Sequence, residues 1–423
     1  MDRNGHDIAR VPLRDNPAGH GLLLAALALL AMGVVMVYSA SSSVAAEGSW
    51  MNRQEGRHLI YAVLAAGVML LLWRVDYRAL AGRKGAGWPA TVLLVVSLIL
   101  SLVVMVPGVG TEVNGARRWF RFGSGIFLLS FQPSELVKIA LVAFLACWLG
   151  REGRKVRSFT RVFVPAVFLL GVCVASVILE DFGTAAIVGM TAVAMFILAG
   201  IPWYYLLTLA PPAAAGVYFL VYRVQFRWAR IIAFVNLWDE ASRWTYQGRQ
   251  ALIAIGSGGL WGKGLGNGVL KRGFLPEDST DFIFAILCEE LGFVGAAVLL
   301  GLIAMLLYLS WRVASRSADR TGRLLAGGMG ILITLQALMH VGVNLGSIPP
   351  TGLNLPLVSA GGTALVLMAS AVAMIVSVSA RNPVAGGGRS AVADAKSRGR
   401  FAAGEGNGAN RAGDDRYAEG DEA

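Results

Sequence analysis

The sequence predicts an all-α polytopic membrane protein, with ten transmembrane helices and a long exterior loop between the seventh and eighth. Three observations carry this reading. Hydrophobic residues make up 56% of the 423 residues and charged residues only 15%, with a mean hydropathy of +0.62. A soluble domain of this size needs far more charge to cover its surface. The apolar residues fall in ten runs near the ~20 residues that cross a bilayer core. The basic residues lie in short clusters between those runs, so the net charge of +11 reads as membrane topology and excludes nucleic-acid binding.

The runs are 21–41, 58–73, 89–107, 134–150, 162–179, 184–201, 203–222, 282–311, 324–346 and 355–378. The stretch 1–20 is polar and carries no cleavage pattern, so the first run is a retained span rather than a signal peptide. Pro211-Pro212 predicts a kink in the seventh span. Arginine and lysine mark one side: Arg3, Arg10 and Arg14, then Arg74, Arg78, Arg83 and Lys84. Arg151, Arg154, Lys155, Arg157 and Arg161 follow, then Arg312, Arg316, Arg320 and Arg323. These place both termini in the cytoplasm and the long connection 223–281 outside. The tail 381–423 is rich in Gly, Ala, Arg and Asp without apolar periodicity and reads as a disordered cytoplasmic extension. Cys147, Cys173 and Cys288 sit within apolar runs at spacings that suit neither zinc nor a disulfide framework, and read as packing residues.

The polar residues that need explaining crowd the exterior side. Asp281 ends the run Phe274-Leu275-Pro276-Glu277-Asp278-Ser279-Thr280-Asp281, where an apolar segment begins. A carboxylate there is costly unless it faces water, a partner or a substrate. Glu135 and Lys138 are three apart on one helix face, just after Pro133 in the first turn. They form either an internal ion pair or a pair in which Glu135 orients Lys138 toward a phosphate. Asp181 suits a helix N-terminus. Glu289 and Glu290 lie about 12 Å below Asp281 and are turned from it by about 80° and 180°, so at least one pairs with a basic residue. Gln336, His340 and Asn344 recur every four residues as a polar stripe facing the bundle interior. The glycines between Gly256 and Gly268 match no nucleotide-binding pattern. They predict non-helical backbone lining a cavity, with Arg249, Lys263, Lys271 and Arg272 as cations for a pyrophosphate. The segment 346–363 is broken by prolines and glycines, as cavity-lining segments often are.

Taken together, these segments resemble the SEDS family (shape, elongation, division and sporulation) over about 21–378. The resemblance rests on Gly115-Ala116-Arg117-Arg118-Trp119, Gln132-Pro133-Ser134-Glu135 with Lys138, and Asp181-Phe182-Gly183-Thr184. It continues through Gln250 to Gly259, Phe274-Leu275-Pro276-Glu277, Thr280-Asp281-Phe282-Ile283-Phe284-Ala285 and Glu289-Glu290-Leu291-Gly292. It ends with Asn344-Leu345-Gly346, Gly352-Leu353, Leu355-Pro356 and Ser359-Ala360-Gly361-Gly362. Val37-Tyr38-Ser39-Ala40-Ser41 is more similar to the division branch than to the elongation branch. Glu180, Ser279 and Ala360 depart from residues common in the family.

The resemblance implies a peptidoglycan glycosyltransferase that polymerises lipid II at the outer membrane face. It also implies a class B penicillin-binding protein transpeptidase as partner and other divisome proteins nearby. Asp281 is then the catalytic residue, as general base or as ligand of a divalent cation (Mg2+ or Mn2+) beside the pyrophosphate. Substrate binding falls to Arg117, Arg118, Gln132, Ser134, Glu135, Lys138, Lys271, Glu277 and Ser359. Two rival readings are a lipid II transporter, which calls for polar groups reaching both faces, and a non-catalytic scaffold.

Overall fold

In a computed structural model of the chain, the described residues are 12, 15–41, 54–82, 87–113, 116–123, 129–178, 181–238, 243–269 and 280–381. Two compact units separate. Pro12–Ala380 carries everything that follows, and Met1–Val11 with Arg381–Ala423 lies, Arg381 apart, outside the described residues. The tail predicted over 381–423 therefore falls there, as do Lys271 and Glu277.

Among the described residues, seven helices are long and apolar enough to cross a membrane. They are α1 (Pro17–Ser41), α2 (Gln54–Leu72), α4 (Pro133–Glu152), a segment Phe159–Ile178 whose regular part is α5 (Val164–Ile178), α6 (Phe182–Ala199), α11 (Ile283–Arg316) and α12 (Arg320–Asn344). Two shorter apolar helices, α3 (Trp88–Val103) and α13 (Thr363–Ser379), pack among them. Leu70, Leu71, Val92, Ile99, Phe168 and Phe293 are exposed. That much uncovered apolar surface is untenable in water and natural in lipid, so this is a multi-pass membrane protein.

α1 begins four residues before the predicted boundary because Asn16 caps it, accepting from Gly19 N at 3.0 Å and donating to Ser379 Oγ at 2.8 Å. The seventh predicted span is a chain of short pieces: α7 (Trp203–Leu206), a tight turn, α8 (Ala210–Val217) and a wider turn over Tyr218–Tyr222. Pro211-Pro212 accounts for the restart. Neither α7 nor α8 buries a residue. The tenth predicted span shortens, because 355–362 is loop, with Leu357 at φ 63°, and regular helix begins only at Thr363.

α12 is central, packing against α4, α6, α11 and α13. At the end opposite Asp281, Tyr77 donates to Asp319, the residue that caps α12 by accepting from Gly322 N at 2.8 Å. Burial and that carboxylate push the Tyr77 phenol above its usual range.

Two regions predicted as loop contain regular elements. Three segments, β1 (Thr111–Val113), β2 (Ala116–Phe122) and β3 (Leu129–Phe131), form an antiparallel sheet, with Thr111 opposite Trp119 and Phe120 opposite Phe131. The long connection holds α9 (Gln225–Val235) and α10 (Arg243–Gly258).

α11 is two helices joined at a break, with Gly292 at φ 64°, ψ −162°. The turn after α10 docks into that break. Lys263 N donates to Glu289 O at 2.9 Å and Gly264 N to Glu290 O at 3.0 Å. In return, Phe293 N donates to Gly259 O at 2.9 Å and Val294 N to Leu260 O at 3.2 Å. Backbone groups freed by one break are thus satisfied by the other, which membrane burial demands. Two glycines make the approach possible. A Cβ on Gly262, at φ 80°, would stand 2.2 Å from Glu290 O, and one on Gly292 would stand 2.3 Å from Gly262 N. The glycine-rich turn was expected to line a cavity; its glycines instead permit a backbone crossing.

Candidate active site

The Asp281 end of the bundle encloses a cavity of about 280 Å³. Arg118, Trp119 and Arg121 of β2 form one wall, Arg230 of α9 and Gln247 of α10 another, and 350–354 with His340 of α12 a third. Gln132, Asp181 and Thr280–Phe282 complete it. Asp281 is half-buried. A Cβ on Gly352 would sit 3.6 Å from its Oδ2, so the carboxylate lies against that glycine.

The backbone around Asp281 is held from two sides. Asn344, fully buried, donates to Asp281 O at 3.1 Å and accepts from Ala285 N at 3.2 Å, pinning the start of α11. Ser359 donates to Thr280 O and accepts from Leu355 N, both at 2.8 Å. Gln336 and Asn344 of the stripe read in the sequence are therefore structural, while His340 also lines the cavity and its Nε2 has no partner. Gln336 donates to Asn354 O at 2.9 Å, and His340 Nδ1 lies 2.7 Å from Leu353 O.

The lining carries Arg118, Arg121 and Arg230 against Asp181 and Asp281, an excess of cations suited to an anionic ligand. Asp181 caps α6, accepting from Thr184 N at 3.1 Å and Thr184 Oγ1 at 2.8 Å. Nearby, burial lowers the Arg227 guanidinium from its usual value while the Asp181 charge works the other way. With Asp181 engaged in capping, the donor set does not fit an all-protein cation cage, and no group of three His, Cys, Asp or Glu gathers among the described residues. Asp281 would be the residue to hold a divalent cation here, a hard Lewis acid of the kind that takes few protein ligands when an anionic ligand supplies the rest.

The remaining predicted residues divide. Arg118 and Gln132 line the cavity. Arg117 does not; it is half-exposed and pairs with Glu112 at 3.4 Å. Lys138 is fully buried, 2.8 Å from Glu135 Oε1 and 2.6 Å from Gln336 Oε1, so the internal ion pair is the arrangement found. Ser134 is buried beneath Gln132, whose amide donates to it at 3.0 Å. Ser359 acts through Thr280 rather than at the cavity surface. Lys263, expected as a pyrophosphate cation, pairs with Glu289 at 2.7 Å. Ser39 Oγ lies 2.8 and 2.6 Å from the two oxygens of Glu290. The offsets predicted that at least one glutamate pairs with a basic residue, and Glu289 does, while Glu290 accepts from a serine. Sequence reasoning missed Arg230 and Gln247, which no spacing links to Asp281.

Comparison with known proteins decides the family. A family model described as Cell cycle protein, covering FtsW, RodA and SpoVE, matches residues 20–383. The chain belongs to this family. It is 38% identical over 367 residues to the probable peptidoglycan glycosyltransferase FtsW of Geobacter metallireducens, covering 85% of this chain and 94% of the relative. The stage V sporulation protein E of Bacillus subtilis is 36% identical, with 85% and 96% covered. Among solved structures, a chain of a peptidoglycan synthase complex that coordinates polymerization and crosslinking superposes with a TM-score of 0.69 at 27% identity, covering 85% of this chain and 97% of that one. The rod shape determining protein RodA of Thermus thermophilus gives 0.60 at 29% identity, covering 86% and 96%.

Proposed function

We propose that this family member is a peptidoglycan glycosyltransferase that polymerises lipid II at the outer face of the cytoplasmic membrane during cell division. The observation that carries this reading is the cavity: one half-buried carboxylate, fixed through its backbone, among three arginines at one end of a membrane bundle. Lipid II asks for these features, since its diphosphate needs cations, its sugars lie outside the bilayer and its polyprenyl tail stays in lipid.

The reaction is an inverting transfer. The 4-hydroxyl oxygen of the acceptor's GlcNAc attacks the anomeric carbon of the growing chain's terminal MurNAc, and the bond to undecaprenyl pyrophosphate breaks. Asp281 receives the hydroxyl proton, a general-base contribution of typically ~10²–10⁴ in rate. Arg118, Arg121 and Arg230 hold the departing diphosphate, whose charge needs little protonation. A divalent cation bound by Asp281 would instead neutralise that diphosphate as a Lewis acid. The working assembly includes a class B penicillin-binding protein transpeptidase and other divisome proteins at the septum, with both termini cytoplasmic as the positive clusters direct.

The test is Asp281→Asn, purified with its transpeptidase partner and supplied with lipid II, with glycan strands resolved on a gel. The expected outcome is a fall of roughly 10²-fold or more in polymer formed. Strand synthesis near the wild-type rate removes Asp281 from the chemistry.

A further inference from the structure

A second cavity, of about 200 Å³, shares Trp119 with the first as a lining residue. It is lined by Gln54, Arg57, His58 and Tyr61 of α2, by Ser130 of β3 and by 360–362 before α13. No carboxylate is among its described lining residues. The N-terminus of α13, which starts at Thr363 and has no side-chain cap, meets it, with Ala364 N and Leu365 N donating to Gly361 O and Gly362 O. Helix N-termini attract anions through exposed N–H groups and the dipole.

His58 supplies the independent sign of a ligand. It is 3% exposed, it lines the cavity, and neither ring nitrogen has a partner. A buried polar group left without a partner is destabilising by roughly 1–3 kcal/mol and calls for an explanation. Arg57 Nε, on the neighbouring residue, is likewise without one. A cation, an imidazole that offers an N–H in either protonation state, and a helix start together suit a phosphate or diphosphate.

We propose that this second cavity binds the phosphate-bearing headgroup of a second lipid-linked substrate, so that the cavities sharing Trp119 hold the two partners of the transfer. This rests on the polymerase reading, which requires two lipid-linked sugars side by side, one giving up its diphosphate beside Asp281 and the other accepting. Arg57 and His58 are binding residues and take no part in bond making.

The experiment measures binding to the purified full chain in nanodiscs. The probes are a polyprenyl diphosphate, inorganic pyrophosphate and an uncharged polyprenol. The expected result is two diphosphate lipids bound per wild-type chain. Arg57→Gln/His58→Gln should weaken one of them roughly tenfold or more, the loss expected for a charge-assisted hydrogen bond. Polyprenol binding should not change. Arg57→Gln alone, at a half-exposed position, covers the case in which the His58 change disturbs folding, and Arg57→Lys should recover most of the affinity. Unchanged diphosphate binding in both variants overturns the proposal. Weakening confined to inorganic pyrophosphate also overturns it, by making this a site for a free anion. Lipid II polymerisation is measured in parallel with the transpeptidase partner added. Arg57-dependent lipid binding by a wild-type chain that, with that partner, makes no glycan overturns the polymerase reading and leaves the headgroup site standing.

Discussion

The pair Glu135–Lys138 decides between two roles that the sequence left open, and a mutant cycle can separate them. Both side chains are almost wholly enclosed, at 4% and 0% exposure, with Nζ 2.8 Å from Glu135 Oε1 and 2.6 Å from Gln336 Oε1. Lys138→Met leaves the Glu135 carboxylate buried and uncompensated, and its Oε2 already has no partner. Glu135→Gln leaves the ammonium in the same position. Breaking a buried pair from either side costs about 3–5 kcal/mol. The double change Glu135→Leu/Lys138→Met removes both charges, and what remains is the Gln336 acceptor, worth about 1–3 kcal/mol. The double variant should therefore be more stable than either single one, a coupling of several kcal/mol for residues in direct contact.

Thermal unfolding of the four detergent-solubilised proteins, read by intrinsic fluorescence, gives the order. Wild type should unfold last, the double variant next and the two single variants first. A double variant no more stable than the worse single one refutes the ion-pair reasoning. Polymerisation supplies the other half. Near wild-type glycan synthesis by the double variant makes the pair purely structural. A stable but inactive double variant returns Lys138 to the substrate.

Two further perturbations test how Asp281 is positioned. Asn344→Leu keeps similar volume but removes the hydrogen bonds to Asp281 O and Ala285 N. At about 0.5–1.5 kcal/mol each, it should lower kcat roughly tenfold with KM for lipid II little changed; unchanged kcat means that Asp281 does not depend on this anchor. Gly262→Ala places a Cβ 2.2 Å from Glu290 O at φ 80°. It should destabilise by about 1–3 kcal/mol or more and raise hydrogen exchange at Lys263, Gly264, Phe293 and Val294, whereas unaltered exchange there contradicts the backbone crossing.

The membrane spans were legible because an apolar run is a local signal that needs no tertiary information. The helical stripe Gln336, His340 and Asn344 was legible for the same reason, as was the turning of Glu289 and Glu290 away from Asp281. What escaped depends on distant partners. Gly292 reads as an ordinary glycine in an apolar helix until the turn 259–264 is brought against it. Arg230 and Gln247 join Asp281 only because α9 and α10 fold back from a stretch that looked like loop. Strands of three residues, such as β1 and β3, are too short to show alternation. Lys138 was ambiguous because position on a helix face does not distinguish an inward pair from a cavity wall, and Gln336, the residue that settles it, lies 198 positions away.

The placement of Asp281 follows from the cost of polar groups in lipid. A carboxylate in an intact apolar helix finds no water and no freed backbone to bind it, so it is neutralised or excluded. Here it sits just before the first turn of α11, where the N–H of Ala285 is taken by Asn344. The same Asn344 amide then reaches back to the Asp281 carbonyl, so one buried side chain satisfies a helix start and fixes the segment that carries Asp281. The anchor is made to backbone, and Asp281 lines the cavity together with Arg118, Arg121 and Arg230. Only eleven residues after Asp281, the break at Gly292 returns the chain to helix, with its freed groups paired to the α10 turn rather than to the cavity. Placing Asp281 in the open cavity and Glu289 and Glu290 in closed structural pairs is therefore a consequence of where the helix starts and where it breaks, which is why three acids on one segment have different tasks.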